Sequence, residues 1–162
     1  MVTISAQDAL RWAIEIETNG KAFYESAAAR ATDRDVRLLF ADLAQQEERH
    51  RRTFLYLLEK APATAALADQ DRREAESYLS TLYDQALFGG KDRGMALATQ
   101  ATDEPSAVRA AIAFEKDTLL FFREVHECVG VAQRGTLVAI MDEEQKHLRQ
   151  LGHVLRGLPW VL

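Results

Sequence analysis

Two short segments of the chain repeat the same pair of ionisable residues at the same spacing. Glu47 and His50 lie in "LAQQEERHRRTF", and Glu144 and His147 lie in "IMDEEQKHLRQL". Residues three apart share one face of an α-helix, so each pair presents a carboxylate beside an imidazole. Oxygen and neutral nitrogen ligands without thiolate suit iron, manganese or zinc. One such pair is a weak signal, whereas two pairs in a repeated frame predict a metal site.

The repeated frame includes a further glutamate in each half of the chain. The segment "AIEIETNGKAFY" is similar to "AIAFEKDTLLFF", and this alignment places Glu17 over Glu115. Each of these glutamates precedes a Glu-x-x-His pair. The spacing from the glutamate to the pair is one residue shorter in the second copy. The sequence therefore reads as an internal duplication of a helical hairpin, and each copy carries half of the site.

The residues around these motifs predict an all-α fold. Apolar residues recur at helical spacing in four long segments, and no segment shows the sustained alternation typical of strands. The predicted long helices cover about residues 6–30, 34–60, 105–130 and 132–156. The glutamates and histidines of the motifs fall on the apolar stripes of these helices, so we expect them to face the core.

The connections between the predicted helices indicate how they assemble. Short loops join the two helices of each hairpin, about 6–60 and about 105–156, whereas a segment of about 61–104 joins the hairpins. This segment contains a short predicted helix, "RREAESYLSTLYDQALF". A connection of this length can return the chain along a bundle. We predict one domain over residues 1–162, a four-helix bundle with a long crossover.

Inward-facing stripes would bring four carboxylates and two imidazoles together in the middle of the bundle. Uncompensated burial of four carboxylates would cost far more than the net stability of a domain, roughly 5–15 kcal/mol. Such carboxylates either take up protons with raised pKa values or hold cations. Two divalent ions would bring four positive charges, which matches the four carboxylates.

The chain resembles the rubrerythrin and ferritin-like superfamily along most of its length. The matching segments are "AIEIETNGKAFYESAA", "LFADLAQQEERH", "AIAFEKDTLLFF" and "IMDEEQKH". One Glu from each of two helices, with a Glu-x-x-His from each of the other two, is the ligand pattern of ferritin-like carboxylate proteins. The resemblance implies a ferritin-like four-helix bundle and a non-haem di-iron centre that reacts with oxygen or hydrogen peroxide.

Carried over by motif, the resemblance implies a set of metal ligands. These are Glu17, Glu47, His50, Glu115, Glu144 and His147. The two glutamates of the Glu-x-x-His pairs would bridge the metals, and each histidine would bind one metal. Tyr24, two turns after Glu17 on the same face, is a candidate donor to a ligand carboxylate or a residue at the open side of the site. The alternative is a core tyrosine whose hydroxyl is satisfied elsewhere.

Two features depart from the rubrerythrin pattern. The single cysteine, Cys128, rules out a rubredoxin-type site, so catalytic electrons would come from an external donor protein. Rubrerythrins carry a second glutamate three residues after the ligand of the third helix, and Thr118 occupies that position here. This substitution places in question the redox-linked exchange of a Glu for a His at one iron.

The sequence therefore predicts a di-iron carboxylate oxidoreductase that reduces hydrogen peroxide or O2. Two alternatives remain open. The chain could be a ferroxidase or another iron-handling protein, or a non-enzymatic bundle supported by a redox-inert ion. Two iron ions are the expected cofactor, with manganese or zinc as the other candidates.

The composition of the chain limits which binding partners and which cellular compartment we expect. The net charge is −5 and the basic residues are spread along the chain, so neither nucleic acid nor a membrane is an expected partner. No apolar run approaches a membrane span, and the start of the chain lacks a secretion signal, so we expect a cytoplasmic protein. Additional apolar residues on the second helix, Leu39, Leu55, Tyr56 and Leu58, predict a homodimer, with helix exchange through the crossover as one form.

Overall fold

The computed structural model describes residues 6–61, 77, 80–84 and 92–157, and within these residues it is helical without strands. The helices are α1 (Ala6–Arg30), α2 (Arg34–Lys60), α3 (Arg93–Gln100), α4 (Glu104–Cys128) and α5 (Val131–Leu155). The four long helices agree with the predicted segments to within two residues at each end. The all-α prediction is therefore confirmed, because the apolar periodicity of the sequence has the period of an α-helix.

The four long helices form a bundle in which each packs against two neighbours. Helix α1 lies between α2 and α4, and α5 completes the ring between α4 and α2. Neighbouring helices run antiparallel: Tyr24 contacts Glu115 while Trp12, earlier in α1, contacts Phe121, later in α4. Helices α2 and α4 thus lie on opposite corners, which is the arrangement that a long crossover permits.

The starts of α2 and α4 are capped and tied together. The side chain of Asp33 accepts hydrogen bonds from the backbone of Asp35 and Val36, and Asp103 forms a capping box with Ser106. The Glu104 carboxylate then accepts from the backbone N–H of Asp33 at 2.8 Å. These contacts hold the α1–α2 turn against the first turn of α4, and so set the relative heights of the two hairpins.

The core consists mainly of Phe, Leu and Ala side chains on the predicted stripes. Phe40, Phe54 and Phe122 are fully buried. One expectation about the surface is wrong: Leu39, taken as additional apolar surface, is also fully buried, because α2 buries a wider face than one stripe. Tyr56, in contrast, is 59% exposed. The homodimer remains a prediction.

The crossover contains a helix that periodicity did not predict. Helix α3 has only eight residues and packs against α1. Of the short helix predicted at about 72–88, only residues 77 and 80–84 are described, and they are helical; the remainder lies outside the described residues. None of the described helices has the length and apolar character needed to cross a membrane.

Helix α3 approaches α1 so closely that one position requires glycine. A Cβ atom at Gly94 would lie 1.9 Å from the backbone oxygen of Asn19 in α1. Because that atom is backbone, it can move only if one helix moves away from the other. Gly94 therefore determines how closely the crossover helix packs on the bundle.

Substitution Gly94→Ala should destabilise the protein by at least the usual cost of overpacking, about 1–3 kcal/mol. For a chain of this length each kcal/mol corresponds to about 2–4 °C in Tm, which calorimetry can measure. The matched control is Gly135→Ala, since Gly135 lies in helix α5 with nothing within 4 Å of the added Cβ. That control should gain about 0.5–1 kcal/mol. Equal effects of the two changes would contradict the close packing at α3.

Candidate metal centre

The structure brings all six sequence-predicted ligand residues together in the middle of the bundle. Each of the four long helices contributes, and the side chains are almost inaccessible to solvent. Glu17, Glu47, Glu115, Glu144 and His147 are 0% exposed, and His50 is 3% exposed. Their role as metal ligands remains a prediction, but the convergence on which it depends is observed.

The six side chains form two overlapping groups of four. One group contains Glu17, Glu47, His50 and Glu144, and the other contains Glu47, Glu115, Glu144 and His147. Within each group, one ligand atom per residue lies within 4.8 Å of the others. Glu47 and Glu144 belong to both groups. This arrangement is consistent with two metal ions that share two carboxylates.

Both histidines direct the same ring nitrogen toward the centre. The Nδ1 atom of His50 lies 2.8 Å from Glu144 and 3.7 Å from Glu17. The Nδ1 atom of His147 lies 2.9 Å from Glu144 and 3.2 Å from Glu115. The inward-facing atoms of each group are therefore a nitrogen and several carboxylate oxygens, the donor set of non-thiolate metal sites.

Most of these buried polar atoms have no hydrogen-bond partner. Both oxygens of Glu17, Glu47 and Glu144, together with Oε2 of Glu115, lack one, as does Nδ1 of His50. Native proteins rarely leave buried polar atoms unsatisfied, because each costs about 1–3 kcal/mol and more when charged. Atoms that converge without bonding one another fit coordination of a shared cation. The residues present therefore fit a metal pair.

The electrostatics of the metal-free centre indicate the same need for cations. Burial, followed by the charges of neighbouring carboxylates, raises the pKa of Glu17 and of Glu47 well above the ordinary value of 4.5. Burial and the charge of Glu144 raise the pKa of Glu115 to about 8. Without metal, these carboxylates therefore hold protons that a free glutamate would lose.

The pKa values of the two histidines and of Glu144 shift so that their charged forms are favoured. Burial acts to lower the pKa of His50, but the adjacent carboxylate of Glu144 raises it overall to about 9. Burial likewise acts against the charged form of His147, and Glu115 and Glu144 outweigh it, so its pKa is raised. Burial acts to raise the pKa of Glu144, but the charge of His147 and the close approach of both histidines lower it overall.

Tyr24 lies at the edge of the centre, two turns after Glu17 on the same helix. Its side chain is fully buried, and its hydroxyl donates a hydrogen bond to Oε1 of Glu115. The duplicated position in α4 is Phe122, which has no hydroxyl. The two sides of the centre therefore differ at this position.

Gly20 provides room for the shared carboxylate Glu47. A Cβ atom at this position would lie 2.8 Å from Oε2 of Glu47 and 2.7 Å from Cζ of Phe114. Because Gly20 follows Glu17 by three residues, it lies on the same face of α1. The small residue lets the α2 carboxylate approach α1 and lie beside Glu17.

Two residues outside the predicted ligand set contact the centre. The Oε1 atom of Gln46 lies 3.1 Å from Nε2 of His147. The Oε2 atom of Glu143 lies 3.0 Å from Nε2 of His50. Glu48, in contrast, forms ion pairs with the side chains of Arg51 and Arg52 near the surface. The signal for Gln46 and Glu143 was their shared position, immediately before the Glu of each motif.

Fold and centre together define the class: a four-helix bundle with a short crossover helix and a buried carboxylate–histidine centre consistent with two metals. The family model for Rubrerythrin matches residues 8–155, which is most of the chain. The chain belongs to the rubrerythrin family. No significant match was found among curated proteins or among solved structures.

The metal-free protein should lose thermal stability as the pH rises toward about 9, the folded-state pKa of His50. The pKa of Glu115 is raised from 4.5 to about 8. The pKa of His50 is raised from 6.5 to about 9. Each group stabilises the folded state fully below its ordinary pKa and loses that contribution as the pH rises through its folded-state pKa. Glu144, whose pKa is lowered, acts oppositely, but its contribution is lost only below the ordinary carboxyl range.

Calorimetry of chelator-treated protein across this pH window would measure the effect. The matched control is the same protein saturated with Zn2+. Metal displaces the same protons, so the increase in Tm on adding Zn2+ should grow with pH. A metal-free Tm that stays level or rises with pH would contradict the protonation of the buried carboxylates.

Proposed function

We propose that this protein is a di-iron carboxylate oxidoreductase that reduces hydrogen peroxide or O2 with electrons from an external donor. The observation that carries the proposal is the pair of overlapping ligand groups, each with three carboxylates and one imidazole. Membership of the rubrerythrin family supports a redox role for such a centre. Neither group contains a sulfur ligand, and oxygen and nitrogen ligands suit iron in both common oxidation states.

Within this proposal, the residues divide into terminal and shared ligands. Glu17 and His50 would hold one ion, and Glu115 and His147 the other. Glu47 and Glu144 would contact both ions, because each belongs to both groups. When bound, two iron ions supply the two electrons that convert hydrogen peroxide and two protons into two waters.

The protein supplies a dry pocket and a held proton. Phe40 and Phe114 are buried against Tyr24 at the edge of the centre, where they exclude bulk water and so strengthen electrostatic interactions inside it. Burial and the charge of Glu115 raise the pKa of Tyr24 well above its ordinary value of 10, so its hydroxyl keeps its proton where a free tyrosine would lose it. That proton lies on the hydrogen bond to Oε1 of Glu115, where it orients this carboxylate.

An anaerobic titration with ferrous ion, read by optical absorption, should saturate near two irons per chain, the number implied by the two ligand groups. Hydrogen peroxide should then oxidise the loaded protein faster than air does, and a chemical reductant should restore the ferrous form. Glu144→Gln should lose stoichiometric binding, because it removes an oxygen ligand from both groups. Glu48→Gln is the matched control, since Glu48 forms surface ion pairs with Arg51 and Arg52.

The other outcomes separate the competing functions. Rapid oxidation by air with iron uptake far beyond saturation would favour an iron-handling protein. Zn2+ binding that raises the Tm, without any reaction of the iron-loaded form with either oxidant, would favour a non-enzymatic bundle. Stoichiometric iron binding that survives in Glu144→Gln would mean that the ligand groups have been assigned incorrectly.

A further inference from the structure

The outward ring nitrogens of the two histidines have different partners. Nε2 of His50 lies 3.0 Å from a carboxylate oxygen of Glu143, and Nε2 of His147 lies 3.1 Å from the amide oxygen of Gln46. The amide nitrogen of Gln46 donates to Oδ2 of Asp42 at 2.7 Å, which holds its oxygen toward His147. Both partner atoms are acceptors, so both histidines donate from Nε2. Once a metal ion displaces the proton on Nδ1, each ring would present its Nδ1 lone pair to the centre.

These two partners occupy equivalent positions in the duplicated frame. Gln46 immediately precedes Glu47, and Glu143 immediately precedes Glu144. Each reaches across the α2–α5 seam to the histidine of the other helix. The geometry is therefore nearly symmetric while the chemistry is not, because one acceptor is an acidic side chain and the other a neutral amide.

Tyr24 is a second difference between the two halves, and it also makes the His147 half the weaker one. Its hydroxyl donates to Glu115, which withdraws electron density from a carboxylate of the His147 group. The equivalent residue, Phe122, has no hydroxyl, and both oxygens of Glu17 lack a hydrogen-bond partner. The two groups contain the same ligand types, three carboxylates and one imidazole. These neighbours are therefore the chemical difference between the two groups.

We propose that Glu143, Gln46 and Tyr24 make the two halves of the centre unequal, so that the half containing Glu17 and His50 binds a divalent ion first and more tightly. Glu143 and Gln46 are positioning residues that act through the histidines. An imidazole that donates to a carboxylate is a more basic ligand than one that donates to an amide, and such partners change metal affinity by about 10–100-fold. The inference rests on the proposed metal centre and adds an order of filling to it.

The test uses Zn2+ and the full chain with 15N-labelled histidine. Nuclear magnetic resonance of the ring nitrogens reports which histidine binds metal, with His50→Gln and His147→Gln as assignment variants. The first equivalent of Zn2+ should shift the His50 resonances and leave those of His147 unchanged, and the second should shift His147. Calorimetry should resolve two affinities that differ by about 10–100-fold.

The exchange of Gln46→Glu with Glu143→Gln, made together with Tyr24→Phe, should reverse the order and fill the His147 half first. Each single exchange should narrow the difference in affinity, and Tyr24→Phe should narrow it independently by strengthening the His147 half. A merely structural role of these residues would lower both affinities without changing which histidine responds first. If the triple variant does not fold, the single variants carry the test.

Three results would overturn the inference alone: a first equivalent that engages His147, one that engages both histidines equally, or an order that the exchanges leave unchanged. Absence of any Zn2+ binding by the unmodified protein would instead overturn the metal centre itself, and the inference with it. The two failures are therefore distinguishable in one experiment.

Discussion

The structure depends on one constraint: four carboxylates lie in a core where none has access to solvent. Two histidines can supply at most two positive charges, which leaves an excess of negative charge that protons or cations must neutralise. In the folded bundle without metal, burial raises the pKa values of Glu17 and Glu47, so these carboxylates take up protons. Metal binding must then displace those protons, so folding, protonation and metal binding are linked in this protein.

The same constraint joins the two hairpins. Each ligand group takes three residues from one hairpin and one from the other, because Glu47 and Glu144 belong to both groups. A single hairpin therefore cannot form even half of the centre. Helices α2 and α5 approach each other less closely than the other three neighbouring pairs in the bundle, and this seam separates Glu47 and His50 from Glu144 and His147. A metal pair would connect the two hairpins across this wider seam.

Sequence reasoning located the long helices and the six central residues because both follow from the period of the α-helix. An ionisable residue such as Glu17 on an apolar stripe must enter the core, whatever the details of packing. Helix α3 could not be found in this way, since eight residues are too few to establish a period. Its place is set instead by the contact of Gly94 with the backbone of Asn19, a long-range contact that has no local signature.

Gln46 and Glu143 show a different limit. Each lies about 100° from its neighbouring ligand around the helix, where a side chain is normally solvated. Only the antiparallel placement of α2 beside α5 directs them toward the histidines of the opposite helix. The two ligand groups contain identical residue types, so their neighbours are a principal source of difference between them. The residues outside the motif, rather than the motif itself, are therefore where the chemistry of the two positions can diverge.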